Sequence, residues 1–120
     1  MSKVMRAQAE KLDVRQFKLM NGEDVVACVV SETDQRIEVE GPLQIYESMD
    51  DGGEYSIALR QWLSMSIDTN AMLLKTGIIT SVKMDIDNKE LYLGAIVSMA
   101  KSNIQDESIE ETISGNQSVH

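Results

Sequence analysis

The sequence predicts a mainly β domain: a strongly bent five-stranded antiparallel sheet, or small open barrel, with a short N-terminal helix and a C-terminal helix. Three observations point there. Between Val14 and Val82 apolar residues recur mostly at every second position, the period that brings the side chains of a strand to one face. The alternating runs are separated by turn chemistry at Asn21-Gly22, Gly41-Pro42, Asp51-Gly52-Gly53 and Asp68-Thr69-Asn70. At both ends the period lengthens to that of a helix.

Residues 3–12 contain the helix formers Ala7, Ala9, Glu10 and Lys11, and Met5, Ala9 and Leu12 draw a narrow apolar stripe. Phe17 and Leu19 flank Lys18 as on a half-buried strand. Asn21-Gly22 is the dipeptide of a tight hairpin, because both residues tolerate positive φ. Residues 25–30 are apolar at every position and rich in valine. A strand covered on both faces reads this way, as does one curling through a small barrel. After a polar turn at 31–35, Ile37 and Val39 alternate with Arg36, Glu38 and Glu40. Leu43 and Ile45 resume the pattern beyond Gly41-Pro42, a pair that marks a bulge or bend. The segment "MDDGGE" is a loop.

Residues 55–67 alternate most cleanly. Tyr55, Ile57, Leu59, Leu63, Met65 and Ile67 share one face, with Ser56, Ala58, Arg60, Trp62, Ser64 and Ser66 on the other. Residues 71–82 form the fifth strand, kinked at Gly77. Asp87 and Glu90 have capping-box spacing, and Leu91, Ala95 and Met99 share one face of a helix over 88–101, laid across an open barrel end. The domain thus covers 1–101. Residues 102–120, acidic and without Lys or Arg, read as a disordered tail.

With 120 residues, 42% of them hydrophobic, the chain has the size of one domain with one core. No apolar run reaches the ~18 residues of a membrane span. No apolar stretch follows the basic N-terminus as a secretion signal would require, so a cytoplasmic location is expected. The single cysteine, Cys28, excludes an internal disulfide and, among valines, reads as a buried structural thiol. A net charge of -9 opposes phosphate backbones at long range and disfavours strong non-specific nucleic-acid binding.

No catalytic constellation appears, and neither cofactor nor metal is expected. The only histidine, His120, is the last residue, which removes the usual general base. "DIDNKE" opens like a calcium loop, but it lacks the sixth-position glycine and carries Ile96 where the twelfth-position Glu belongs. Helix capping is the better reading. Asp50-Asp51-Gly52-Gly53 reads as a solvated turn rather than a cation loop.

A helix followed by five strands, the second strongly bent and the third interrupted, is the order of the Sm and LSm fold. "FKLMNGEDVVACVV" resembles the first Sm motif in Phe17, Leu19, Gly22 and the apolar strand from Val25, and Asp34 falls where that motif carries its loop aspartate. The chain is most similar to the Sm-like proteins of marine tailed phages (cyanophages). In those a "TGED" corner, a "PWL"-type strand, a further strand and a C-terminal helix recur. The matching pieces here are "NGEDVVA", "GPLQI", "RQWLSMS" and "NKELYLGAI", spread over residues 17–101.

The resemblance implies a homo-oligomeric ring in the cytoplasm, including that of a phage-infected host. Residues 55–67 of one copy would pair with 71–82 of the next, with Trp62, Leu63, Leu73 and Ile78 at the interface. It implies single-stranded RNA as ligand at Asp34, Lys75 and Gly77, the last two from "LLKTGII", where Thr76 interrupts the usual motif. The pattern departs from RNA-binding members at Ile37 and Glu38, which replace the stacking residue and the Asn of the uracil pocket. Two readings stay open: a ring that binds single-stranded RNA weakly, or a non-catalytic structural or adaptor ring without a nucleic-acid ligand. Trp62 either stacks a base or packs, under the C-terminal helix or at a subunit contact. The lack of a neighbouring aromatic favours packing.

Overall fold

Val25, Val26 and Ala27 are all fully buried, although successive side chains of a strand point to opposite faces. Both faces of the sheet must be covered there, and a computed structural model shows how. It describes the backbone of residues 3–63 and 69–115, and the side chains of 6–63 and 69–101. The order is α1 (Lys3–Lys11), β1 (Val14–Leu19), β2 (Asp24–Glu32), β3 (Arg36–Met49), β4 (Tyr55–Gln61), β5 (Asn70–Leu74), a 3-10 turn (Lys75–Gly77), β6 (Ile78–Lys83) and α2 (Ile86–Gly115). The strands make one antiparallel sheet in the order β4-β3-β2-β1-β6, with β5 also paired to β3.

β3 is the pivot. One edge is taken by β2, and the other is shared, residues 36–40 facing β5 and residues 43–49 facing β4. The handover falls on Gly41-Pro42. Gly41 adopts φ 61 and its N–H donates to Thr69 O at 2.6 Å, while Pro42, with no N–H, accepts from Trp62 N–H at 3.4 Å. Across the ladder the β2–β3 register slips between Val26 and Cys28 and slips back between Val29 and Ser31. Such bulges bend and twist the strand that carries them.

The two faces of β2 face two clusters. On one side Phe17, Val25, Ala27, Ile37, Val39 and Leu73 form a cluster from β1, β2, β3 and β5. On the other, Val14, Val26, Leu43 and Tyr92 pack together, and Leu93, Ala95, Ile96 and Met99 of α2 cover them. The apolar run is therefore buried on both faces over residues 25–27, while its end at Val30 is exposed. Cys28 is half-buried against the second cluster, and burial raises its thiol above the ordinary value of 9.0.

Several local expectations are corrected. The β1–β2 corner is not a two-residue turn with two positive φ values. Gly22 N–H donates to Leu19 O at 2.9 Å, Leu19 N–H to Glu23 O at 2.9 Å, and of the corner residues only Gly22, at φ 92, is left-handed. That is a three-residue loop with a glycine bulge, closed by Asn21 Oδ1 accepting the Glu23 N–H at 3.0 Å. The expected fifth strand is broken by the turn Lys75–Gly77 into β5 and β6, and Gly77 has no positive φ. β4 ends at Gln61, and residues 64–67 of the expected 55–67 run lie outside the described residues.

The helix cap is Asp85, whose Oδ1 accepts the Asn88 N–H at 2.9 Å, so α2 begins at Ile86. Asp87 and Glu90, read as a capping box, instead face Arg6 of α1 at 3.8 and 2.8 Å. α2 runs on past residue 101 to Gly115. Its Tyr92 hydroxyl donates to the carbonyls of Glu40 and Gly41, at 3.0 and 2.7 Å, fastening the helix to the β3 bend. Burial holds the Tyr92 pKa well above the usual phenol range, so the hydroxyl stays a donor. Among the described residues no helix is long and apolar enough to cross a membrane.

Candidate functional site

Thr33 makes the β2–β3 loop tight. Its N–H donates to Arg36 O at 2.9 Å, and its hydroxyl accepts from the Gln35 and Arg36 N–H groups at 3.3 and 3.2 Å. Asp34 is left exposed at the tip. Because β5 pairs with the start of β3, Arg36 opposite Leu74, the turn that follows β5 lands on this loop. Lys75 N–H donates to Gln35 O at 2.9 Å, and Gly77 O accepts from Met20 N–H at 2.9 Å. Gln35, next to Asp34, thus meets Lys75 at one corner, while Gly77 of the same turn meets Met20 of the β1–β2 loop.

The electrostatics of that corner are self-contained. Lys75 Nζ lies 2.8 Å from Glu32 Oε2, and Arg15 Nη2 lies 3.1 Å from Glu32 Oε1. Arg15 also grips Asp13 with two bonds, Nε to Oδ1 at 3.0 Å and Nη2 to Oδ2 at 2.8 Å. Hydrogen bonds from Lys75 and then Arg15 hold the Glu32 carboxyl below its ordinary 4.5. The bond from Arg15 does the same for Asp13, below 3.8. Arg15 and Lys75 are matched by Asp13 and Glu32, and Asp34 adds a third carboxylate, so the corner offers no net positive charge. Neither Arg15 nor Glu32 stood out in the sequence, since only the folded sheet brings them beside the turn Lys75–Gly77.

Ile37 belongs to the first buried cluster, where no base reaches it, and Glu38 sits opposite Met72 in the β3–β5 ladder. Among the described residues no group of His, Cys, Asp and Glu is placed to hold a metal ion. Compared with known proteins, the chain matches no family model and no curated relative.

The residues expected at a subunit contact have mixed fates. Leu73 is core, 5% exposed, and Ile78 and Trp62 are half-buried against the same first cluster. Trp62 therefore packs on the face away from α2, not beneath it. Leu63 is exposed and borders a groove of about 420 Å³ between α2 and β4, together with Leu59, Ile96 and Met99. The apolar surface lies elsewhere on the edges. On β4, Tyr55 and Ile57 are 67% and 76% exposed; on β6, Ile79 and Val82 are 59% and 56% exposed. Each of these strands has a partner on one edge alone among the described residues, β3 for β4 and β1 for β6. The alternation at 55–67 carried this signal, but it does not say whether the apolar face is buried by the chain itself.

Proposed function

We propose that this protein is an Sm-like, ring-forming subunit that binds single-stranded RNA weakly at the corner of Asp34, Lys75 and Gly77. The meeting of the loop at 33–35 with the turn Lys75–Gly77 carries the reading, because the resemblance sets its ligand between those two loops. β5, the turn and β6 together run from β3 to β1, as the fifth strand of a small Sm barrel would. The outer edges of β4 and β6, with their exposed apolar side chains, support assembly. Head-to-tail pairing that closes by rotation covers both edges in every copy. The reading includes a cytoplasmic setting and no cofactor or catalysis. Light scattering should give the mass of a closed oligomer at micromolar concentration; a monomer refutes the ring.

Titration with oligo-U and oligo-A at low and moderate salt tests the ligand. Binding should fall as salt rises, because bound phosphates release counterions. It should show little preference for uracil, since Ile37 is buried and the Glu38 carboxylate lacks the donors of an amide. A second reading, an adaptor ring without nucleic acid, is favoured by the 2.8 Å pairing of Lys75 with Glu32, which neutralises the cation. Absence of binding to either oligonucleotide at low salt selects it.

A further inference from the structure

The side chains around Glu32 are arranged as they would be around a bound anion. Arg15 of β1 and Lys75 of the turn Lys75–Gly77 converge on separate oxygens of one carboxylate, at 3.1 and 2.8 Å. Asp13 grips the far side of the guanidinium through Nε and Nη2, fixing its plane and leaving the other Nη2 hydrogen for Glu32. The Arg15 side chain is only 15% exposed and so is held in place; Glu32, the last residue of β2, is 37% exposed and can swing away. Arg15 is therefore the fixed cation, while Lys75, 35% exposed, is as free to move as the carboxylate it meets.

We propose that Arg15 and Lys75 form an oxyanion site which Glu32 occupies as an internal ligand, and that a phosphate of single-stranded RNA displaces it. The choice of RNA as the source of that phosphate rests on the functional reading above. A carboxylate and a phosphodiester each present two anionic oxygens carrying one negative charge, so a guanidinium and an ammonium set for one accept the other. The Lys75–Glu32 pair, 35% and 37% exposed, contributes little net stability, so exchanging its anion for another is nearly balanced. The displaced carboxylate stays tethered beside the incoming phosphate and repels it. Weak binding by the native chain follows from that repulsion.

The test compares the full-length wild type with Glu32→Ala, Glu32→Gln and Glu32→Ala/Lys75→Ala, using oligo-U, oligo-A and inorganic phosphate at low salt. Glu32→Ala should bind both oligonucleotides about fivefold tighter, the scale of one unit charge at contact distance in water. The added Lys75→Ala should abolish that gain, and phosphate should compete with the oligonucleotide in Glu32→Ala. Wild-type binding that Glu32→Ala leaves unchanged or weakens overturns the site and leaves the functional reading standing. Phosphate bound without either oligonucleotide overturns RNA as the source, and the functional reading with it, while the cation pair stands. If Glu32→Ala fails to fold, Glu32→Gln carries the same comparison. In the wild type the Arg15 Nε–H resonance should move on adding oligonucleotide; an unmoved signal at saturation overturns the proposal.

Discussion

At Gly41 a Cβ would stand 2.7 Å from the Tyr92 hydroxyl and 3.1 Å from Ile96 Cδ1, on a backbone at φ 61. Gly41→Ala should therefore cost about 2–3 kcal/mol, from left-handed strain and from displacing α2. Tyr92→Phe should cost about 1–2 kcal/mol, because one buried hydroxyl bonds the bend. Combined, the two should cost less than their sum, since removing the hydroxyl makes room for the methyl. Urea denaturation of all four chains measures this; strict additivity would mean that the two groups do not touch. Gly77 behaves differently. It has no positive φ and open space around it, so Gly77→Ala should change stability by less than about 0.5 kcal/mol. The same denaturation series reads it.

The carboxylates at the corner set an acid limit. Glu32 and Asp13 both have folded-state pKa values lowered by hydrogen bonds from Lys75 and Arg15, so the native state binds fewer protons than the unfolded chain. Their contribution is complete above the ordinary values of 4.5 and 3.8, and fades as pH falls through the lowered ones. Melting temperature should drop across that window, and Glu32→Gln should make the drop shallower. An acid limb as steep as in the wild type would detach Glu32 from the stability of the corner.

Among the elements, α2 holds the second face of the sheet through residues before Lys101: Tyr92, Leu93, Ala95, Ile96 and Met99. A chain ending at Lys101 should keep its melting temperature and its assembly, because those contacts remain. A large loss on truncation would show that residues 102–120 dock on the domain. The start of α2 is held by its cap: Asp85 precedes the helix by one residue, and Asp85→Ala should cost about 1 kcal/mol by circular dichroism melts. The helix was visible in the sequence from its periodicity, but its start was not. Asp85 and Asp87 both offer a capping side chain, and only the backbone path from β6 selects between them.

For the whole molecule, the exposed edge of β4 is the sensitive point. Ile57→Lys should leave the fold intact, because Ile57 is 76% exposed, and should break the proposed ring by placing a charge on the strand proposed to pair. Light scattering and circular dichroism together decide it. A ring that survives the lysine would move the interface away from β4.

Strand and helix types, the apolar run of β2 and the Gly41-Pro42 interruption were legible because they rest on local side-chain period and on backbone restrictions that travel with the residue. Asp34 and Lys75 were singled out by the resemblance, which set them at one ligand; the hydrogen bond from Lys75 to Gln35 that joins their two loops came from folding. Other features came from folding. The handover of β3 from β5 to β4, the burial of Leu73, the exposure of Tyr55 and Ile57 and the seat of Trp62 depend on which edge each strand finds. The Asp13–Arg15–Glu32–Lys75 chain of charges was equally hidden. Its members lie on β2, on β1 and its approach, and in the turn after β5, and a Coulomb interaction depends on distance in space, which sequence order does not encode.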